Sequence, residues 1–117
     1  MEKIILIIED NIEIQDSIKT ALEDEGFKVF TANNGKEGIE ALRKIPTPCL
    51  ILLDLMMPVM NGWEFIEVIS NDIMLSTIPV VVVSAFGDKK YTPIKSEYIP
   101  KPIDLDSLLS TVHKHCG

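Results

Sequence analysis

Side chains that handle phosphate and metal ions stand where short apolar runs end. Glu9 and Asp10 follow Lys3-Ile4-Ile5-Leu6-Ile7-Ile8, and Asp54 follows Cys49-Leu50-Ile51-Leu52-Leu53. Ser84 closes Ile78-Pro79-Val80-Val81-Val82-Val83, and Lys101 follows a short apolar segment near the C-terminus. Runs this short and this apolar read as strands buried on both faces. Parallel strands present their carboxyl ends together, so these groups would share one rim. Carboxylates converging there raise one another's pKa unless a cation lies among them. A hard divalent ion held by oxygen suits the set, above all Mg2+, which keeps part of its hydration and ligates phosphate oxygen. Asp54 is then placed to attack phosphorus as a carboxylate nucleophile. Lys101 would neutralise the incoming charge, and Ser84 would hydrogen-bond a phosphoryl oxygen.

The segments between the runs must hold them parallel. Ile14, Ile18, Ala21, Leu22 and Glu25 recur at helical spacing, all but the last apolar, and Gly26 stops the helix before the strand Phe27-Lys28-Val29-Phe30-Thr31-Ala32. Asn34 with Glu37 has the form of a capping box for a second helix over about 35–45, with Ile39, Ala41, Leu42 and Ile45 as its apolar face and Pro46 and Pro48 beyond it. Phe65, Ile66, Ile69 and Ile73 predict a third helix. Leu105, Leu108, Leu109, Val112 and Cys116 predict a last one, with Asp104 as its N-cap. Strands alternating with helices make an α/β, doubly wound parallel sheet with helices on both faces and a ligand crevice at the strands' carboxyl ends.

A chain of 117 residues fits a single domain over 1–117 with one closed core, and 46% hydrophobic residues argue against disorder. The net charge of −7, with no basic stripe, argues against direct nucleic-acid binding. The apolar runs are too short to span a bilayer and Met1-Glu2-Lys3 leads straight into a strand, so no membrane insertion and a cytoplasmic location are expected. Cys49, in a strand, and Cys116, at the far end of the last helix, read as reduced thiols. His113, His115 and Cys116 offer metal-binding atoms, but positions two apart on a helix face different ways, which favours a surface role. Met56, Met57 and Met60 read as packing, and Trp63 as a partly exposed ring at the start of the third helix.

Taken singly, each candidate has a plainer reading: a solvated strand end, a turn residue, a loop hydroxyl. Together they form a pattern hard to obtain by chance. At Leu52-Leu53-Asp54-Leu55-Met56-Met57-Pro58-Val59-Met60-Asn61-Gly62, with Ile8-Glu9-Asp10-Asn11, Val83-Ser84-Ala85 and Lys101-Pro102, the chain resembles the receiver domain of two-component response regulators over essentially its whole length. The resemblance implies a five-stranded flavodoxin-like sheet of order 2-1-3-4-5. It implies Asp54 as phosphoacceptor, Mg2+ held by Asp10, Asp54 and the Met56 carbonyl, with Mn2+ as a substitute, and Glu9 acting through metal-bound water. Ser84 and Tyr98 take the family's switch positions, Ala85 leaves room for the phosphate beside the Met56 backbone, and the Lys101-Pro102 bond is cis as in the family, aiming the lysine inward.

The function implied is phosphorelay signalling. A sensor histidine kinase or histidine phosphotransfer domain supplies the phosphoryl group, and the receiver catalyses its own phosphorylation and dephosphorylation instead of turning over a separate substrate. The sequence ends just after the last helix, and output is expected through contact with another protein. A small aspartyl phosphatase is the runner-up, but it would want a second Asp two residues on, where Met56 stands. A module that never takes phosphate is argued against by the intact acid set, and no glycine-rich nucleotide loop is present. Ser84 and Lys101 are only 17 positions apart, fewer than family members use, and Gly87 and Pro93 interrupt any stripe made by Phe86, Tyr91 and Ile94. A fourth helix is therefore expected to be absent or reduced, with phosphorylation ordering residues 86–97.

Overall fold

Every apolar run singled out above forms a strand, and along the central ones successive side chains enter opposite cores. A computed structural model describes residues 2–85 and 97–117. Its elements are β1 (Ile4–Ile8), α1 (Ile12–Asp24), β2 (Lys28–Ala32), α2 (Gly35–Leu42), β3 (Leu50–Leu53), α3 (Gly62–Ser70), a 3₁₀ turn (Leu75–Thr77), β4 (Val80–Ser84), β5 (Glu97–Pro100) and α4 (Leu105–Cys116). The strands pair in parallel in the order β2-β1-β3-β4-β5, as expected. Ile5, Ile7, Leu50, Leu52, Val81 and Val83 pack with α1 and α4 through Ile18, Leu22, Leu108 and Val112. Leu6, Ile8, Ile51 and Leu53 pack with α2 and α3 through Ile39, Leu42, Phe65 and Ile69. A period of two thus feeds two cores from the same strands.

The helix ends follow their caps. Asn11 accepts from the Ile14 amide and starts α1. Asn34 accepts from the Glu37 amide at 2.9 Å, but Glu37 turns back to the Asn33 amide, so the reciprocal box expected there is displaced by one residue. The full capping box lies at α3, where Asn61 and Glu64 bond each other's amides. Asp104 stands at the N-cap of α4, yet its carboxylate accepts from the Ser107 hydroxyl at 2.7 Å and not from a backbone amide.

Several expectations need correction. α2 ends at Leu42, short of 45, and α3 ends at Ser70. Ile73 is therefore not on the α3 stripe; it lies in the following turn and is 88% exposed. Cys49 and Cys116 are not separate thiols. α4 runs back along the sheet until its last turn lies beside the start of β3, and the two residues, 67 apart in sequence, form a disulfide with Cα atoms 5.5 Å apart. Sequence distance hid a contact that helix packing creates. The described residues contain four α-helices; the expectation for 86–97 lies outside them, apart from Glu97, the first residue of β5.

Gly38 lies where α2 presses on the sheet. A Cβ there would come within 2.5 Å of the Ile8 Cδ1 and 3.1 Å of the Phe65 ring, both fully buried. Gly38→Ala should therefore lower stability by up to about 2 kcal/mol, because an overpacking cost of about 1–3 kcal/mol outweighs the roughly 1 kcal/mol gained in helix propensity. Urea unfolding should show an earlier midpoint; an unchanged or later one would contradict this packing.

Candidate functional site

Strand register brings the candidate residues to one rim. Ile8 pairs with Leu53, so Glu9 and Asp54 are each the next residue past the last pair, and the Asp54 amide donates to the Ile8 carbonyl at 2.9 Å. Ser84 pairs with Pro100, so Lys101 follows directly, its amide donating to the Ser84 carbonyl at 3.0 Å. The strand order reverses between β1 and β3, the place where open α/β sheets leave a crevice.

Glu9, Asp10 and Asp54 each present a carboxylate oxygen, all within 4.8 Å of one another; Glu9 and Asp54 are buried and Asp10 is exposed. The Lys101 ammonium lies 2.5 Å from Glu9 and 3.6 Å from Asp54, and is itself largely buried. Asp54, Met56, Ser84, Ala85 and Lys101 line a cavity of about 310 Å³. The Tyr98 hydroxyl sits behind it and donates to the Ser84 carbonyl at 3.1 Å. The Lys101-Pro102 peptide is cis. Every residue that the resemblance assigns to the site thus reaches this rim or its immediate support, whereas His113, His115 and Cys116 lie at the other end of the sheet. Met56 itself is half exposed at the mouth.

Two supports escaped the sequence reading. Gln15 is buried, and its amide nitrogen donates to the Glu9 carbonyl at 2.9 Å, to the Ala32 carbonyl and to Asn33, tying the end of β1 to the end of β2. Its signal was present: Gln15 stands three residues before Ile18 and seven before Leu22, a polar residue on the apolar stripe of α1. The loop after Asp54 is the second. The Met60 amide donates to the Pro58 carbonyl at 2.8 Å, a γ-turn closed over Val59, whose φ of +69° is rare for a β-branched residue. The loop is pinned where Gly35 donates to the Met60 carbonyl and Gly62 to the Leu55 carbonyl. A Cβ on Gly62 would come within 2.6 Å of the Asp54 carbonyl oxygen, so the close approach needs glycine.

Burial is the largest cause that pushes the Asp54 carboxyl up to about 7, and the charge of Glu9 adds to it. Lys101 acts the other way, a hydrogen bond with Glu9 raises the value again, and the Met56 amide lowers it. Oxygen donors gathered around a carboxylate that resists ionisation fit a hard divalent cation, which would remove both penalties. An all-oxygen donor set of this kind suits a hard cation of the Mg2+ class and not a soft metal.

A folded pKa raised above the unfolded 3.8 gives stability that is present below about pH 4 and is lost as the pH rises through 7. Asp54→Asn removes the group that must ionise. In EDTA the variant should gain on the wild type between pH 5 and pH 8, by about 2–4 kcal/mol at the upper end, since a tenfold change in proton affinity is worth roughly 1.36 kcal/mol. Denaturant unfolding at both pH values checks this; an advantage that stays flat or shrinks with pH would mean that Asp54 ionises freely.

Residues 5–113 match the model of the response regulator receiver domain. The chain is 37% identical to the transcriptional regulatory protein CrdR of Helicobacter pylori over 97% of this chain and 55% of that protein. It spans about half the length of the transcriptional regulators it matches. It is 32% identical to protein PilH of Pseudomonas aeruginosa over 93% of both. In fold it matches the receiver domain of a Pseudomonas aeruginosa sensor histidine kinase, solved with a magnesium ion in its active-site cleft, at a TM-score of 0.88 and 20% identity, covering 100% of this chain and 99% of that one. With the family model covering nearly its whole length and a near-full-length relative at that identity, the chain belongs to the response regulator receiver domains of two-component phosphorelay signalling.

Proposed function

We propose that residues 1–117 act as a single receiver that takes a phosphoryl group onto Asp54, with Mg2+ required, from the phosphohistidine of a sensor histidine kinase or histidine phosphotransfer domain. Phosphorylation then switches affinity for a partner protein. The reading rests on one observation above all: a buried carboxylate opens into a cavity shared with Lys101 and Ser84, inside a cluster of three acids.

In that reading an Asp54 oxygen attacks phosphorus, the phosphorus–nitrogen bond of the donor breaks, and the imidazole leaves with the electron pair. Asp10, Asp54 and the Met56 carbonyl would hold Mg2+, Glu9 would act through water, and Mn2+ would substitute. Bound Mg2+ supplies charge neutralisation between two anions that must meet. Lys101, already within reach of Asp54, would move from the carboxylates to a phosphoryl oxygen. The Ser84 hydroxyl and the backbone amides of Met56 and Ala85 would bind the others. Ser84 moving onto the phosphoryl group would disturb the carbonyl that holds the Tyr98 hydroxyl, which carries the change to the surface. The same assignment makes the protein a self-modifying switch acting through protein partners in the cytoplasm, without nucleic-acid contact or membrane insertion. The net charge of −7 speaks against a nucleic-acid partner, and no helix among the described residues is long and apolar enough to cross a membrane.

Incubation with acetyl phosphate and Mg2+ should add one acid-stable, base-labile phosphoryl group, read by intact mass. Asp54→Asn, or EDTA, should abolish it; labelling that survives either would refute the assignment. Lifetime is the second test. Met56 stands at the mouth of the cavity and cannot orient a water by hydrogen bonding, so Met56→Asn should speed loss of the phosphoryl group in Mg2+ roughly tenfold. Unchanged or slower decay would show that position 56 does not limit access of water. Phe86, two residues after Ser84, is expected to flank the phosphoryl group in the same way, and it lies outside the described residues.

A further inference from the structure

We propose that Cys49 and Cys116 form a reversible thiol–disulfide latch, operated by low-molecular-weight thiols of the glutathione class, that locks or releases the last turn of α4. The pair lies at the end of the sheet opposite the acid cluster. Cys49 immediately precedes β3, whose other end leads to Asp54, and Cys116 ends α4, which begins four residues after Lys101. The four residues of β3 separate Cys49 from Asp54, five steps along the chain or roughly 16 Å at about 3.3 Å per residue. Redox change at the latch therefore leaves the reacting groups untouched.

The surroundings accommodate both states. The Cys49 sulfur lies 3.3 Å from the Ile4 carbonyl oxygen, which already accepts the Cys49 amide. In the disulfide that sulfur has no hydrogen to donate; as a thiol it has one, with an acceptor in place. Cys49 is only half-buried and Cys116 is buried, so Cys49 is the more open of the pair to an exchanging thiolate.

The disulfide is also the strongest tie on the turn it holds. Leu108 and Val112 anchor the middle of α4 in the core. Beyond them, the last turn is held by Lys3 to the Gly117 carbonyl, His113 to Glu25, and Lys114 and His115 to Glu97. Most of these partners are exposed, and such pairs are weak and screened by salt. Opening the latch therefore loosens residues 113–117 without undocking the helix.

The chemistry balances. A thiolate attacks the Cys49 sulfur, forms a mixed disulfide and releases Cys116 as a thiolate, which takes a proton. A second thiolate attacks the small-molecule sulfur, frees Cys49 and yields the oxidised small-molecule disulfide. Two electrons pass to the cysteines and two thiols are oxidised.

The test equilibrates the folded chain in reduced and oxidised glutathione at graded ratios, followed by acid quench, thiol alkylation and intact mass. The disulfide fraction should follow the ratio and converge from both directions. Amide exchange at residues 113–117 should be at least tenfold faster in the reduced form, with exchange at Leu108 unchanged. Cys49→Ser and Cys116→Ser should each match the reduced form and lose all dependence on the ratio. A pair that stays wholly oxidised or wholly reduced across the series while the chain is folded would overturn reversibility. Equal exchange in both forms would overturn the latch. Neither result bears on Asp54, so the latch and the phosphoryl reading fail separately.

Discussion

The structure is organised around negative charge confined where it is costly. Two buried acids and one exposed acid meet at the rim of a parallel sheet, and Lys101 is the only described cation that reaches the buried pair. Burial first, and then the charge of Glu9 that one ammonium does not offset, make Asp54 resist losing its proton. A site in that state is poised for positive charge and then for an anion bound through it. Lys101 contacts Glu9 more closely than Asp54, which leaves the Asp54 oxygen facing the cavity less committed.

Holding that arrangement takes structure of unusual rigidity. β1, β3 and β4 are buried on both faces, so their ends have little freedom. Gln15 joins the ends of β1 and β2, and the Asn61–Glu64 box starts α3 just beyond the acceptor loop. The γ-turn at Val59 accepts an uncommon backbone conformation, tied down on either side by the close approaches of Gly35 and Gly62. Strain in the loop and glycine at its contacts are two aspects of one requirement: the chain must reverse within a few residues of Asp54 without moving it.

The far end of the sheet has a different character. There α4 meets β3 through the disulfide and β5 through Glu97, which accepts from both Lys114 and His115. These partners hold the Glu97 carboxyl below its usual range, its bond with Lys114 foremost. Glu97 is adjacent to Tyr98, so one strand carries contacts to the last turn of α4 and to the Ser84 carbonyl. The two ends of the sheet are thus joined by β5 as well as by the core.

Much of this was legible in the residues alone. The apolar runs declared the strands because a sheet covered on both faces tolerates no polar residue within them, and the acids, serine and lysine were found because each interrupts such a run. Family resemblance supplied the strand order and the cis peptide, which local patterning does not encode. What escaped depended on neighbours distant in sequence. Ile73 continues the spacing of α3, but the helix ends before it, and a periodicity carries no mark of where burial stops. Glu37 has the form of a reciprocal cap, but its carboxylate found the amide one residue earlier. Gln15 looked like a flaw in a stripe until β2 provided its acceptors. Cys49 and Cys116 looked like separate thiols until α4 lay down against β3. Local sequence determined which segments become strands and helices and which polar groups end them, because those outcomes depend on spacing along the chain. Tertiary packing alone decided which groups touch, which carboxyl is driven up in pKa and which sulfurs meet, because distances and desolvation exist only once the layers have closed.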